Sequence, residues 1–349
     1  MSNRIRAGIL VACAAMAASM PAAAWDYPGH RIVGAIADLV LQQHDPATYK
    51  RVSELLEIQL PNGLWQKRTL REVAVFPDCA KPNNVAFCGR PPSEEEKAYA
   101  ERNRHHGSYH FTDVPLQETT YVAGSAGTND TDVVQMIGYA VAQLRGNKPT
   151  KKDVKLTDTE AAWLLAHLVG DIHQPLHVGA MYFDQTCDSV VDPNRGGVPP
   201  KFGIGETVAA TVGGNLIELV APFPTVPPAE NLHFYWDGAA VVHAMQSAGV
   251  GQSEQDFARL LAGAPPSGWE TTGAPETWPA QWASEVLPLA AEAHARLAIR
   301  KRSDPFPACR WTTTIDAGYE DWAQAQAKVQ LAKAGVRLAA LLKAIFAPQ

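Results

Sequence analysis

Two short stretches of this chain pair a histidine with an aspartate four residues later. In Leu165-Ala166-His167-Leu168-Val169-Gly170-Asp171-Ile172-His173-Gln174-Pro175-Leu176-His177 the pair is His167 and Asp171, and His177 extends the block. In Asn231-Leu232-His233-Phe234-Tyr235-Trp236-Asp237 the pair is His233 and Asp237. Residues at i and i+4 share one face of a helix, so each pair can aim an imidazole and a carboxylate at one cation. Two weaker candidates lie earlier. Asp78 follows Phe76-Pro77, and Ser108-Tyr109-His110-Phe111-Thr112-Asp113 sets His110 between aromatic side chains. Taken singly, an aspartate after proline also reads as a turn or cap, and a histidine among aromatics as a satisfied core residue.

Residues 1–24 carry Arg4 and Arg6, an apolar run from Ala7 to about Met20, and Pro21-Ala22-Ala23-Ala24. That is the pattern of a secretory signal with an A-x-A-like cleavage site. The run is too short and too rich in alanine for a membrane anchor, and no later segment offers about 18 consecutive apolar residues. The expectation is a soluble exported protein, periplasmic or secreted. Cleavage after Ala24 frees the α-amine of Trp25, whose reference pKa of roughly 7.7 to 8.0 lets a nearby cation displace its proton. His30 follows close behind and makes a second donor.

The chain has 349 residues and a formal net charge of −6. The leader holds two arginines and no acid, so its removal makes the remainder more acidic still. Such a protein is a poor general binder of long duplex nucleic acid, because that binding comes from neutralising phosphates with Lys and Arg. A phosphodiester substrate would need its positive charge from metal ions. Cys13 leaves with the leader, and Cys79, Cys88, Cys187 and Cys309 remain as an even set, which in an exported protein favours disulfides. Four cysteines allow three connectivities; the pairing expected is Cys79 with Cys88, closing a short loop, and Cys187 with Cys309, pinning the central insertion to the C-terminal region.

The elements that must position these groups are mostly helices. Helix-period apolar patterns cover Ile32 to Leu41, Pro46 to Glu57, Asp132 to Leu144, Thr157 to Val169, His233 to Gln246, Ser253 to Leu261, Pro279 to Ala298 and Tyr319 to Phe346. Strand alternation is confined to a short hairpin around Thr207 to Leu219. Two long stretches punctuated by Pro and Gly, Gly179 to Gly205 and Val220 to Ala229, read as surface loops near the mouth of a site. The fold class is mainly α, a helical bundle with long loops, with residues 25–349 as one domain.

In order and spacing these pieces resemble the zinc-dependent single-strand-specific nucleases and 3′-nucleotidases, a family that shares its fold with bacterial zinc-dependent phospholipase C. The resemblance runs from Trp25 to the segment Ala332-Lys333-Ala334-Gly335-Val336-Arg337-Leu338-Ala339, and the block His167 to His177 is its most specific part. It implies a trinuclear zinc site. One ion falls to Asp78, His110, His167 and Asp171. Its neighbour falls to the amine and carbonyl of Trp25, to His30, and to the other oxygen of Asp171. The third falls to His177, His233 and Asp237. The implied activity is an endonuclease that cleaves single-stranded DNA and RNA to 5′-phosphorylated products and dephosphorylates 3′-nucleotides, working as a monomer.

The resemblance also assigns Asp113 to orienting the attacking water, Phe111 to stacking an unpaired base, and Asn215 of Gly213-Gly214-Asn215 to ordering ligands or substrate. A loop cap, a core phenylalanine and a hairpin turn are the alternatives for these three. His44, His105, His106, His173, His243 and His294 receive no metal. Pro77 stands where the family commonly has alanine, and Gly238 stands where fungal members carry a side chain that can touch the base. Two other functions fit the same ligand types, a zinc-dependent phospholipase C and a non-enzymatic exported zinc-binding protein. The open position left by a three-residue set such as His177, His233 and Asp237 disfavours the second.

Overall fold

The structure, a computed structural model, describes residues 25–59, 62–81, 84–147, 149–151, 153–195, 207–220, 229–263 and 267–347. The expected leader, 1–24, lies outside the described residues, as do much of the first irregular stretch and nearly all of the second.

The chain is mainly helical. Its helices are α1 (Tyr27–His44), α2 (Pro46–Leu55), α3 (Leu70–Val73), α4 (Phe76–Cys79), α5 (Val85–Cys88), α6 (Glu94–Arg102), α7 (Val133–Leu144), α8 (Asp158–Asp171), α9 (Leu232–Phe234), α10 (Ala240–Ser247), α11 (Glu254–Leu261), α12 (Trp278–Ala295) and α13 (Ala317–Phe346). Side-chain caps start many of them. Asp26 accepts from the Tyr27 amide ahead of α1, and Asp316 from Tyr319 at the head of α13. At α8, Thr157 and Glu160 form a reciprocal capping box, two backbone donors satisfied at once. Helix α1 packs along α13 and also meets α3, α8 and α11, while α7 lies against α8. One contiguous apolar core runs from Trp25 to Ile345, and every residue of α8 from Glu160 to Asp171 is buried within it. That burial on all sides is why the metal-type residues of α8 sit in the interior and not on a surface stripe.

The strands are short: β1 (Ile58–Gln59), β2 (Trp65–Gln66), β3 (Val114–Pro115), β4 (Gly179–Ala180), β5 (Tyr182–Phe183), β6 (Ala209–Ala210), β7 (Ile217–Leu219), β8 (Arg300–Lys301) and β9 (Trp311–Thr313). The hairpin expected over Thr207 to Leu219 does not form. Instead β6 pairs antiparallel with β5, and β7 pairs parallel with β9. The Gly-Gly-Asn turn between them redirects the chain from one small sheet to another. The strand pair that matters most for the site is β3 with β4, which is parallel, registers Val114 with Gly179, and sets the residues just after Asp113 beside those just after His177.

Two further expectations are corrected. The helix expected from His233 to Gln246 is interrupted by a π turn, Tyr235–Ala239, between α9 and α10. Asp78, for which a turn or cap was the alternative reading, lies on the one-turn helix α4. Among the cysteines, Cys187 and Cys309 form a disulfide across 122 residues of sequence. Cys79 and Cys88 are free thiols, with the Cys79 Sγ 2.6 Å from the Tyr27 hydroxyl, so the second expected bridge is not made.

Candidate metal centre

The site is assembled from five places in the chain: the start of α1, the α4 turn, the short 3₁₀ turn His106–His110, α8 with the 3₁₀ turn Pro175–His177 that follows it, and α9 with the π turn. On α8, His167 donates its Nδ1–H to the Ala74 carbonyl at 2.6 Å, which leaves Nε2 as the lone-pair nitrogen. The same device recurs twice. His177 Nδ1 donates to the His110 carbonyl at 2.8 Å, and His233 Nδ1 to the Gly213 carbonyl at 2.7 Å. Backbone carbonyls that fix a histidine tautomer and ring orientation are what metal-ligating imidazoles require.

Around His167 the donor atoms crowd. His110 Nδ1 lies 2.9 Å from His167 Nε2 and 3.1 Å from Asp171 Oδ2, and Asp78 Oδ1 lies 3.7 and 3.8 Å from the same two nitrogens. His30 stacks on His167 with ring centroids 3.7 Å apart and sets its Nε2 3.3 Å from Asp171 Oδ1. Asp171 therefore turns one oxygen towards His110 and His167 and the other towards His30. Burial works to raise its carboxyl, and the positive potential of His167 and His30 overcomes that, holding it well below the usual carboxylate range. A third group stands beside these. His177 Nε2 is 3.5 Å from Asp237 Oδ1, and His233 Nε2 is 3.3 Å from Asp237 Oδ2.

Three sets of side chains could thus hold metal ions: His30, His167 and Asp171; Asp78, His110 and His167; and His177, His233 and Asp237. Within each set the ligand atoms lie within 4.8 Å of one another. The donor chemistry fits a cation. Both ring nitrogens of His30, His110 Nε2, Asp171 Oδ1, His177 Nε2 and Asp237 Oδ2 are buried with no hydrogen-bond partner. A buried polar atom without a partner costs about 1–3 kcal/mol, and metal coordination offsets that cost.

Trp25, expected to contribute its amine and carbonyl, is fully buried beside this cluster, and its indole Nε1 donates to the Gly170 carbonyl at 2.8 Å. The Asp26 amide donates to the Asp237 carbonyl at 2.9 Å. The start of α1 is thereby tied both to α8 and to the π turn. Gly170 makes the approach of His30 feasible, because a Cβ there would fall 2.9 Å from His30 Nδ1. Gly213 has φ +53°, and a Cβ on it would overlap the Leu176 carbonyl oxygen at 2.2 Å. Only glycine keeps that turn closed over the third group.

A cavity opens over the cluster, lined by His110, His177 and His233 together with Lys81, Phe111, Asp113 and Asn215. Asp113 is buried, and neither carboxylate oxygen has a hydrogen-bond partner. Burial pushes its carboxyl up to about 7, against the opposing pull of His177 and of the Gly213 backbone amide, which acts on it without completing a hydrogen bond. Phe111 is half-buried at the cavity wall. The Asn215 amide donates to the Val212 carbonyl at 2.9 Å, so part of its hydrogen-bonding capacity is spent on its own turn. Lys81 was not singled out from the sequence. Its Nζ lies 2.6 Å from Asp78 Oδ1, one turn along from that aspartate, and it is the one lysine or arginine among the described residues lining this cavity.

The histidines set aside on spacing lie elsewhere. His173 donates Nδ1–H to the Val169 carbonyl and accepts from Arg337 at Nε2, His243 pairs with Glu320, and His294 donates to the Ala290 carbonyl. The described helices include none long and apolar enough to cross a membrane.

Compared with known proteins, the chain matches the family described as S1/P1 Nuclease over residues 25–347. No individual curated protein matches it. A match across nearly the whole chain, over a mainly helical fold that gathers three buried His/Asp groups, settles the kinship: the chain belongs to the S1/P1 nuclease family.

Proposed function

We propose that the protein is a zinc-dependent endonuclease that cleaves single-stranded DNA and RNA to 5′-phosphorylated products and removes the phosphate of 3′-nucleotides. It uses three zinc ions. Asp78, His110, His167 and Asp171 hold the first; the Trp25 amine and carbonyl, His30 and Asp171 hold the second; His177, His233 and Asp237 hold the third. Bound zinc supplies Lewis acidity to the phosphate and lowers the pKa of an attacking water. The protein's own groups do the rest. Asp113 faces the cavity with two unpartnered oxygens, and when ionised it orients and accepts a proton from that water. Phe111 offers a ring at the cavity wall for an unpaired base, a contact that a base inside a duplex cannot make. Lys81 adds a positive charge beside the phosphate position.

The observation that carries this reading is the adjoining placement of three His/Asp groups with unpartnered ligand atoms, two of which send histidines (His110, His177 and His233) to the wall of a cavity that also holds Asp113. Residues 25–349 act as one catalytic unit, exported to the periplasm or medium after loss of 1–24, and work as a monomer. The test is zinc content of N-terminally processed protein together with turnover of single-stranded DNA, RNA, duplex DNA, 3′-AMP and phosphatidylcholine. Three zincs per chain with turnover of single strands and 3′-AMP is the expected result. Three zincs with lipid turnover alone would move the protein to phospholipase C chemistry, and zinc binding without any turnover would make it a binding protein.

A further inference from the structure

The two oxygens of Asp237 stand in different surroundings. Oδ1, 3.5 Å from His177 Nε2, accepts a hydrogen bond from Gln174 Nε2 at 2.8 Å, while Oδ2 is buried without a hydrogen-bond partner and faces His233 Nε2. Gln174 is itself fully buried, and its other end is also committed: Oε1 accepts the Leu176 amide at 2.5 Å. Pro175 has no N–H, so Leu176 supplies the first amide of the turn that carries His177. That amide must donate, which obliges the oxygen end of Gln174 to face Leu176 and its NH₂ end to face Asp237. The orientation of the side chain is thus fixed at both ends by chemistry.

We infer that Gln174 is a positioning residue for the third metal site. Its bond to Asp237 Oδ1 fixes the carboxylate between the Nε2 atoms of His177 and His233 and leaves the unpartnered Oδ2 for the cation. It also ties the Pro175–His177 turn to the π turn carrying Asp237, across 63 residues of sequence. Glutamate would keep the acceptor for Leu176 but set a second anion against Asp237. Leucine would leave Oδ1 and the Leu176 amide without this partner. The inference rests on the zinc reading proposed above.

The experiment is a zinc titration of the processed, chelator-stripped full-length protein against a competing chromophoric chelator, with bound zinc counted after gel filtration. Asp237→Ala identifies which of the binding steps belongs to the third site. Gln174→Leu and Gln174→Glu are each expected to weaken that step by about 10- to 100-fold, the usual cost of losing an outer-shell partner. The steps for the other two ions should be unchanged. In the Asp237→Ala background, Gln174→Leu should then do nothing further. Wild-type affinity for three zincs in Gln174→Leu would overturn the inference, as would equal weakening of all three steps, which marks general structural damage. Should Gln174→Leu lose its helical circular dichroism, Gln174→Glu alone decides by the same criterion. Wild-type protein that binds fewer than three zincs would overturn the underlying zinc reading, and this inference with it.

Discussion

Asp171 and Asp113 are both buried carboxylates within one cluster, yet their surroundings push them in opposite directions. Asp171 is ringed by imidazoles and held well below the usual range, whereas burial drives Asp113 up to about 7. That division suits one to be a permanent ligand and the other to exchange a proton. As a base, Asp113 works only when ionised, so turnover should fall as pH drops through its pKa, and cations bound nearby shift that limb below 7. Asp113→Asn is expected to lower kcat by about 10²- to 10⁴-fold and to remove this acid limb while three zincs stay bound. Loss of zinc in the variant, or an unchanged pH profile, would count against the role. At this scale the sequence was unusually readable. The pairs His167 with Asp171 and His233 with Asp237 stood out by type and spacing, whereas His30, Asp78 and His110 were weak singly and entered through the family resemblance; the structure brings all eight side chains, His177 included, into three adjoining groups. Lys81 was not, because lysine is no metal ligand and only the fold turns it towards Asp78. Gln174 was quoted as motif without a role, since its partner is remote in sequence.

Helix α8 was legible because several signals agree: a Thr157-x-x-Glu160 capping box, an apolar period, and ligands four apart. The other elements show where such signals run out. Helix α6, Glu94–Arg102, lacks an apolar period, since three glutamates open it, and only its Ser93-x-x-Glu96 capping box announces it. The π turn around Asp237 has the same i, i+4 ligand spacing as a regular helix, so spacing cannot reveal it. Strands of two or three residues carry almost no alternation, and their partners are distant, which is why β6 and β7 looked like the arms of one hairpin. A prediction belongs to α8. Gly170→Ala adds a methyl group 2.9 Å from His30 Nδ1 while favouring the helix by about 1 kcal/mol in intrinsic propensity. The variant should keep its helical circular dichroism and lose about tenfold or more in affinity for the ion at His30. Unchanged zinc affinity would show that His30 is not held by this contact.

Away from the metal groups, burial holds imidazoles such as those of His173 and His294 in the neutral form, and acid should find them. His294, buried on α12 with its Nδ1–H on the Ala290 carbonyl, is lowered to about 4 by burial. Its unfolded value is near 6.5, so between these two values the unfolded chain takes up a proton that the folded chain refuses. The stability it contributes is therefore present above about 6.5 and lost as pH falls towards 4. Chelator-stripped protein should lose about 3 kcal/mol more than His294→Leu over that window, by denaturant unfolding at each pH. Parallel curves would refute this. The mainly helical class was legible from periodicity alone, whereas the disulfides divided: Cys187 with Cys309 formed, and Cys79 stayed with the Tyr27 hydroxyl. The anchoring of the segment just ahead of α1 has a consequence for the protein's working lifetime. Trp25 bonds to α8 and Asp26 to the π turn, so a protease that removed these two residues would cut both ties while sparing the rest of the apolar core. With residues 1–24 removed as proposed, trimming at the new end would inactivate the protein before degrading it, and the full burial of Trp25 would withhold that end from an exopeptidase.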